Sequence, residues 1–474
     1  MRWLYLTHRW LGIVTCILCA IWFLSGLVMV YVPYPSWRDD ERVSALPPLA
    51  ASQILISPGE ALAKAELKRA PTSFRLEMAG DEPVYRIVDG EWHVAVSARD
   101  GSRIESVTQD AAERMLRGAF PDSFTYLGPV EADQWTVTRR FAPYRPLHHF
   151  EADDGLASRY YVSSRTGEIV QSTTRSERMW NWFGSVPHWI YFTALRADPS
   201  LWRDVIIWTS GLATVGAIFG LWIGVARIRL RRRYGGTRMS PYRGIMKWHH
   251  VSGLIGGVFV ITWLFSGWLS VGPFDLFRGI PVTPDQLARY YVPDTLTFNT
   301  SAHVLAARIG PNTKEIQFSW VGGAALFVAN DGRAKTAYDA RDGAPFVLTQ
   351  EAIVQAAETA MSEVPIAAVK RLDEYDLYWY AHRSERVLPA LRLIFNDPPR
   401  TWLTVDLKSG RIVDASDASV RWERWLFNFL HLYDHPGLLA RPLLRESLIW
   451  VLSIAGFIVS ITGVIVGVRY LQRA

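Results

Sequence analysis

HRWLGIVTCILCAIWFLSG, residues 8–26, returns later in the chain as HHVSGLIGGVFVITWLFSG, residues 249–267. His8 falls on His249, Gly12 on Gly253, Trp22 on Trp263, and Ser25-Gly26 on Ser266-Gly267, all at an offset of 241. Past the basic opening neither copy holds a charge. A helix rising about 1.5 Å per residue crosses the roughly 30 Å hydrocarbon layer in about 20 residues, so each copy reads as a membrane span. Two more uncharged apolar runs complete the set: Leu11–Val32, Val205–Ala226, Val251–Gly272 and Leu448–Val468.

The segments between the spans repeat as well. Thr166-Gly167-Glu168-Ile169-Val170 lies over Ser409-Gly410-Arg411-Ile412-Val413, Trp182 over Trp425, and His188 over His431, at an offset of 243. A long internal repeat is an architectural statement before it is a functional one. The expected fold is an integral membrane α-helical bundle of four transmembrane helices with an internal two-fold repeat, carrying α+β domains on one side. The divisions are 1–32 (first span and N-terminus), 33–203 (first domain), 204–228 (second span), 229–247 (basic loop), 248–272 (third span), 273–445 (second domain) and 446–474 (fourth span and C-terminus).

Charge sets the orientation. RIRLRRRYGGTRMSPYRGIMK, Arg227 to Lys247, is rich in arginine and has no acidic residue. Basic loops stay cytoplasmic, and Arg2, Arg9, Arg469 and Arg473 agree, so both termini are expected inside and the two large segments outside. The net charge of +6 is concentrated in that loop and asks for no nucleic-acid partner. The first span is expected to remain in the protein. Its apolar core exceeds the roughly 7 to 15 residues of a secretory signal, and Val32-Pro33-Tyr34-Pro35-Ser36-Trp37 offers no small-residue cleavage site. Cys16 and Cys19 are the only cysteines and sit inside that span, where they read as apolar fillers; the outer domains are built without disulfides.

Within those domains, SPGEALAKAEL from Ser57 and TQEAIVQAAETAM from Thr349 carry a capping residue, an early acid and helical apolar spacing. Tyr160–Val162 with Gly167-Glu168-Ile169-Val170, and Trp402–Val405 with Gly410-Arg411-Ile412-Val413, alternate around glycine turns and read as hairpins.

On these marks the chain resembles the PepSY-associated transmembrane family: His8-Arg9-Trp10-Leu11-Gly12 opening the first span, the matching opening from His249 to Gly253, a histidine shortly before each partner helix, and helix-then-hairpin modules similar to the PepSY domain. The likeness runs over almost the whole chain. It implies a bacterial inner-membrane protein with periplasmic domains. It further implies haem-binding reductases that release iron from siderophores, with membrane lipid and a ferric siderophore or other periplasmic acceptor as partners.

Ionisable groups at membrane depth usually face the bundle interior and mark a functional site. His8 and His249 lie at the inner ends of the first and third spans, His188 and His431 on the outer side before the second and fourth. A b-type haem takes two imidazoles facing one another across its iron, and a two-fold repeat delivers such a pair when each half supplies one. The expected ligands of two haem b irons are therefore His8, His249, His188 and His431, with His250 and His435 as alternates. Gly12 and Gly253, one turn on, would let a flat macrocycle approach the backbone. The plainer alternative is histidines that hydrogen-bond near headgroups. Arg9, Arg203 and Arg445 fit propionate partners or snorkelling anchors equally, and Trp180, Trp182, Trp189, Trp202, Trp422 and Trp425 form an aromatic belt by default. His93, His303 and His382 read as surface or core residues. His148-His149 with Glu151, Asp153 and Asp154 has the composition of a cation site without a demonstrated geometry.

The functional expectation is a haem b-containing electron-transfer reductase acting on ferric siderophore iron, its electron donor a cytoplasmic reductase or a quinol. No nucleophile triad, phosphate-binding glycine loop or dinucleotide fingerprint occurs. The competing expectation is a non-catalytic membrane protein whose outer domains bind a peptide, a protease or another partner.

Overall fold

The computed structural model describes residues 2–67, 70–229, 239–277, 279–280, 282–291, 298–362, 364–382 and 386–473. Four long helices emerge where the uncharged runs lie: α1 (Arg2–Tyr31), α2 (Pro199–Ala226), α3 (Gly244–Leu269) and α4 (Pro442–Leu471). All four have the length and composition to cross a membrane. Each is wider than its apolar run because the polar ends are helical too; Asp198, for instance, caps α2 by accepting from the backbone N–H of Ser200 and Leu201. Large apolar side chains such as Val14, Ile17, Trp208, Ile255 and Val451 point away from the protein. In water that would be costly, and in lipid it costs nothing. Residues 230–238 of the expected basic loop lie outside the described residues, and α3 already begins at Gly244.

The bundle closes as a ring. α1 packs on α2 and α4, and α3 packs on the same two, so α1 and α3 stand diagonally across the centre.

Two segments leave the ring at one end and fold into three antiparallel sheets. β1 (Ser73–Ala79), β2 (Glu82–Asp89), β3 (Trp92–Ser97) and β4 (Arg103–Ile104) come from the first segment. So do β5 (Phe124–Val130), β6 (Leu147–Ala152), β7 (Arg159–Ser163) and β8 (Ile169–Thr173). The second supplies β9 (Glu315–Val321), β10 (Ala324–Asn330), β11 (Lys335–Asp339), β12 (Ile366–Leu372), β13 (Ala390–Phe395), β14 (Trp402–Asp406) and β15 (Ile412–Ser416). The two segments are not separate bodies. β1 pairs antiparallel with β9, Leu76 opposite Ile316, giving one seven-stranded sheet in the order β11-β10-β9-β1-β2-β3-β4. Its core draws on both segments, with Phe74 and Tyr85 against Phe318 and Trp320. The other sheets, β5-β6-β7-β8 and β12-β13-β14-β15, flank it.

The capped helices form as their sequences require. Ser57 accepts from the Glu60 N–H while the Glu60 carboxylate accepts from the Ser57 N–H, starting helix Pro58–Ala65; Thr349 caps Gln350–Ala360. The hairpins turn at Gly167 and Gly410, whose φ angles of 70° and 68° suit glycine alone without strain.

The seam where β1 meets β9 is charged and largely buried. Arg42 bonds both Glu77, at 2.5 Å, and Glu315; Arg75 reaches Glu77, at 3.0 Å, and Glu168; Arg86 donates to Glu77 at 3.2 Å. The Glu77 and Glu315 side chains are 4 % and 0 % exposed, so the network ties the two segments together from inside.

Candidate functional site

The diagonal placement of α1 and α3 decides which histidines meet. His8, in the first turns of α1, faces His249, in the first turns of α3, with ring centroids 6.1 Å apart and planes 26° from parallel. At the other end of the bundle His188 closes the short helix Ser185–His188 and faces His431, also at 6.1 Å, with planes at 68°. The levels lie roughly 25 Å apart, the rise from His8 to Ser25 on α1 at about 1.5 Å per residue.

Each ring is held by the same nitrogen. His8 Nδ1 donates to the Gly216 carbonyl at 2.9 Å, and His249 Nδ1 to the Val459 carbonyl at 3.2 Å, with the Thr462 hydroxyl at 3.1 Å. At the second level His188 Nδ1 lies 3.0 Å from Ser25 Oγ and 3.2 Å from the Trp22 carbonyl. His431 Nδ1 repeats the serine contact, 3.0 Å from Ser266 Oγ, whose hydroxyl donates to the Trp263 carbonyl at 3.1 Å. A carbonyl can only accept, so the proton sits on Nδ1 and Nε2 keeps its lone pair. Four imidazoles are thus oriented through Nδ1, two by two, by bonds of the kind that would orient metal-bound histidines.

The room for these rings comes from glycines on neighbouring elements. A Cβ at Gly220 would lie 2.5 Å from His8 Cε1, and one at Gly463 3.3 Å from His249 Cε1. At the second level Gly26 and Gly267 each leave 3.3 Å to the Cε1 of His188 and His431. These four glycines and the two serines went unassigned in the sequence. The recurrence of Gly220 at Gly463, again at an offset of 243, was the available signal. Gly12 and Gly253 contact no histidine: a Cβ at Gly253 meets nothing within 4 Å and one at Gly12 only Cys16, leaving open space beside the first pair. Near the second pair the indole N–H groups of Trp22 and Trp263 are buried without an acceptor. Phe23 and Trp263, with ring centroids 5.7 Å apart, pack in the apolar middle of the bundle.

The alternates stand elsewhere. Both ring nitrogens of His250 are engaged, by Ser240 Oγ and the Gly224 carbonyl, each at 2.9 Å. His435 caps the turn Pro436–Leu439, its Nδ1 accepting from the Gly437 N–H. Arg203 spends its guanidinium on the Val271 and Gly272 carbonyls and Asp275, Arg445 on those of Leu432 and Tyr433, and Arg9 lies over the Tyr470 ring. All three are occupied as anchors rather than aimed at the pairs.

The acid-flanked histidines do not converge. His148 and His149 are neighbours on β6 and so point to opposite faces: His148 is bonded by Tyr126 and the Val107 carbonyl, and His149 stacks on Tyr161. No cluster of three or more His, Cys, Asp or Glu able to hold a metal occurs among the described residues. His93 packs on Tyr144, and His303 is exposed.

A family model described as the PepSY-associated TM region matches residues 5–469. No curated protein matches the chain.

Proposed function

Because the chain belongs to the PepSY-associated TM family, matched over residues 5–469, we propose that it is a haem b-containing transmembrane electron-transfer reductase. Its His8/His249 level faces the cytoplasm and its sheets lie in the periplasm of a bacterial inner membrane. Its acceptor is ferric siderophore iron, and its donor is a quinol or a cytoplasmic reductase.

One observation carries the reading: two histidine pairs, each with a centroid spacing of 6.1 Å and each with Nδ1 tied to the backbone. At that spacing one iron could be held between the two imidazoles of each pair, so His8 with His249 and His188 with His431 would hold a haem. Open space beside Gly253 and the unsatisfied indole donors of Trp22 and Trp263 fit the same group. Haem bound at each pair supplies reversible one-electron chemistry. The chain's own part is to orient the imidazoles, to fix their tautomer, and to keep water from the bundle centre with Phe23, Trp263 and their apolar neighbours.

A dithionite-reduced minus oxidised optical spectrum of detergent-purified protein tests this. Two haem b per chain are expected. His8→Ala or His249→Ala should remove one, and His188→Ala or His431→Ala the other. A colourless preparation from haem-supplied cells would sink the reading, and loss of both haems from every single substitution would sink the two-level assignment.

A further inference from the structure

A cavity of about 300 Å³ opens in the second sheet lobe, between β13–β15 and the turns that lead to His431. Leu432, the residue after His431, forms part of its wall. The volume is that of a small-ligand site. Among the lining residues four arginines, 386, 392, 421 and 424, face two acids, Asp414 and Asp434.

The cationic wall is built into the lobe. The Arg392 and Arg424 side chains are only 4 % and 6 % exposed. Arg392 is anchored through both Nη atoms by Asp376, at 2.6 and 3.2 Å, and Arg424 through Nη1 by Asp434 at 2.7 Å and through Nε by the Leu377 carbonyl at 2.9 Å. Each also keeps a buried donor with no acceptor among the described residues, Nε of Arg392 and Nη2 of Arg424. Trp402 holds the guanidiniums of Arg421 and Arg392 at 4.1 and 4.9 Å from its ring centre, which gathers two like charges around one indole. Asp376, Asp434 and Asp414, the last 4.0 Å from Arg386, answer three of these charges. Among the described residues Arg421 meets only the Ser416 and Arg400 carbonyls and Trp402, so the wall keeps a net positive charge.

The first lobe shows that the space is particular to the second. At an offset of 243, Arg392 and Arg424 correspond to His149 and Asn181, and Leu432 and Asp434 to Trp189 and Tyr191. In the first lobe Trp189 and Tyr191 pack with Tyr34 and Trp135 at centroid distances of 5.5 to 5.7 Å. In the second lobe Leu and Asp stand in place of those two rings, and the arginines charge the cavity.

We propose that this cavity is a binding site for a compact polycarboxylate anion, held by Arg386, Arg421 and the remaining donor of each of Arg392 and Arg424. Guanidinium donors make strong charge-assisted bonds to carboxylates, and the Tyr378 ring lines the same wall. The cavity abuts the His188/His431 level, so on the reductase reading above, on which this last step rests, the anion is the chelator that carries the acceptor iron.

Gallium(III) citrate, a redox-silent probe, and citrate alone are titrated by calorimetry onto the full-length protein in detergent. Saturable binding is expected, weakened at least about tenfold by Arg421→Glu and less by Arg421→Gln, the loss of one charge-assisted contact. The optical spectrum of the histidine pairs should not change in either variant. No saturable binding, equal binding by wild type and both variants, or displacement only by vesicles of phosphatidylglycerol would overturn the site. A colourless protein that still binds citrate in an Arg421-dependent way would remove the reductase reading and keep the cavity. A haem-bearing protein that binds neither probe would do the reverse.

Discussion

At the residue scale the pairs are governed by what lies behind each imidazole. Gly220 leaves His8 no tolerance, since a methyl group there would sit 2.5 Å from Cε1 and meet Nδ1 at 2.9 Å. Gly220→Ala should therefore displace His8 and abolish haem retention at the first level while the second is kept, read as loss of half the reduced-minus-oxidised signal. Gly26→Ala, facing 3.3 Å, should be far milder. The serines act through hydrogen bonding. Ser266→Ala removes the hydroxyl bonded to His431 Nδ1, and by the usual effect of such outer-shell bonds it should weaken haem retention at the second level by about 10- to 100-fold. Haem content after stepwise detergent washing measures that, and unaltered retention in Ser266→Ala and Ser25→Ala together would show that the backbone carbonyls suffice. The four histidines stood out because each recurs at a fixed offset, and His8 and His249 also sit at the edge of an apolar run. The glycines and serines that serve them were not, because each acts on a histidine of another element, and a linear pattern carries no information about such neighbours.

At the element scale the decisive contact is the edge pairing of β1 with β9. Local signals in the sequence were sufficient for the capped helices at Ser57 and Thr349 and for the turns at Gly167 and Gly410, since a cap or a turn is set by residues within a few positions. Nothing local announces that two strands some 240 residues apart will join, and β9, buried at all seven positions, has lost the alternation that marks a half-exposed strand. Charge holds the join. Burial would raise the Glu77 carboxyl, but Arg75, Arg42 and Arg86 outweigh it and hold the group well below the ordinary value of 4.5. Removing one member strands the others, so Glu77→Ala should destabilise the sheet region by about 3 to 5 kcal/mol, read as a lower melting midpoint by circular dichroism of the full chain. The pH dependence has a definite sign. A depressed folded value means that the contribution is fully present above the unfolded value of 4.5 and is lost as pH falls through the folded one. Melting midpoints should thus hold steady from pH 7 to about 5 and drop below about 4, and Glu77→Gln should flatten that drop. A midpoint as low in wild type at pH 7 as in Glu77→Gln would show that the network contributes nothing.

At the scale of the whole molecule, the ring α1-α2-α3-α4 places the helices that carry His8 and His249 diagonally, and the β1–β9 join fastens the two segments above it. One asymmetry remains to be oriented in the membrane: all three sheets leave the end of the bundle opposite to residues 2–8 and 469–473. If basic residues stay cytoplasmic, Arg2, Arg9, Arg469 and Arg473 put both termini inside and the sheets outside. The chain suits a thiol-labelling test, because its two cysteines, Cys16 and Cys19, lie within α1, Cys19 buried, and give little background. A cysteine placed at the exposed Asp342, in the turn after β11, should react with a membrane-impermeant maleimide in cells whose outer membrane has been opened. One placed at Arg473 should react only after the inner membrane is disrupted. The reverse pattern would turn the molecule over, bringing the arginine-lined cavity and the His188/His431 level to the cytoplasm, where a periplasmic acceptor could not reach them.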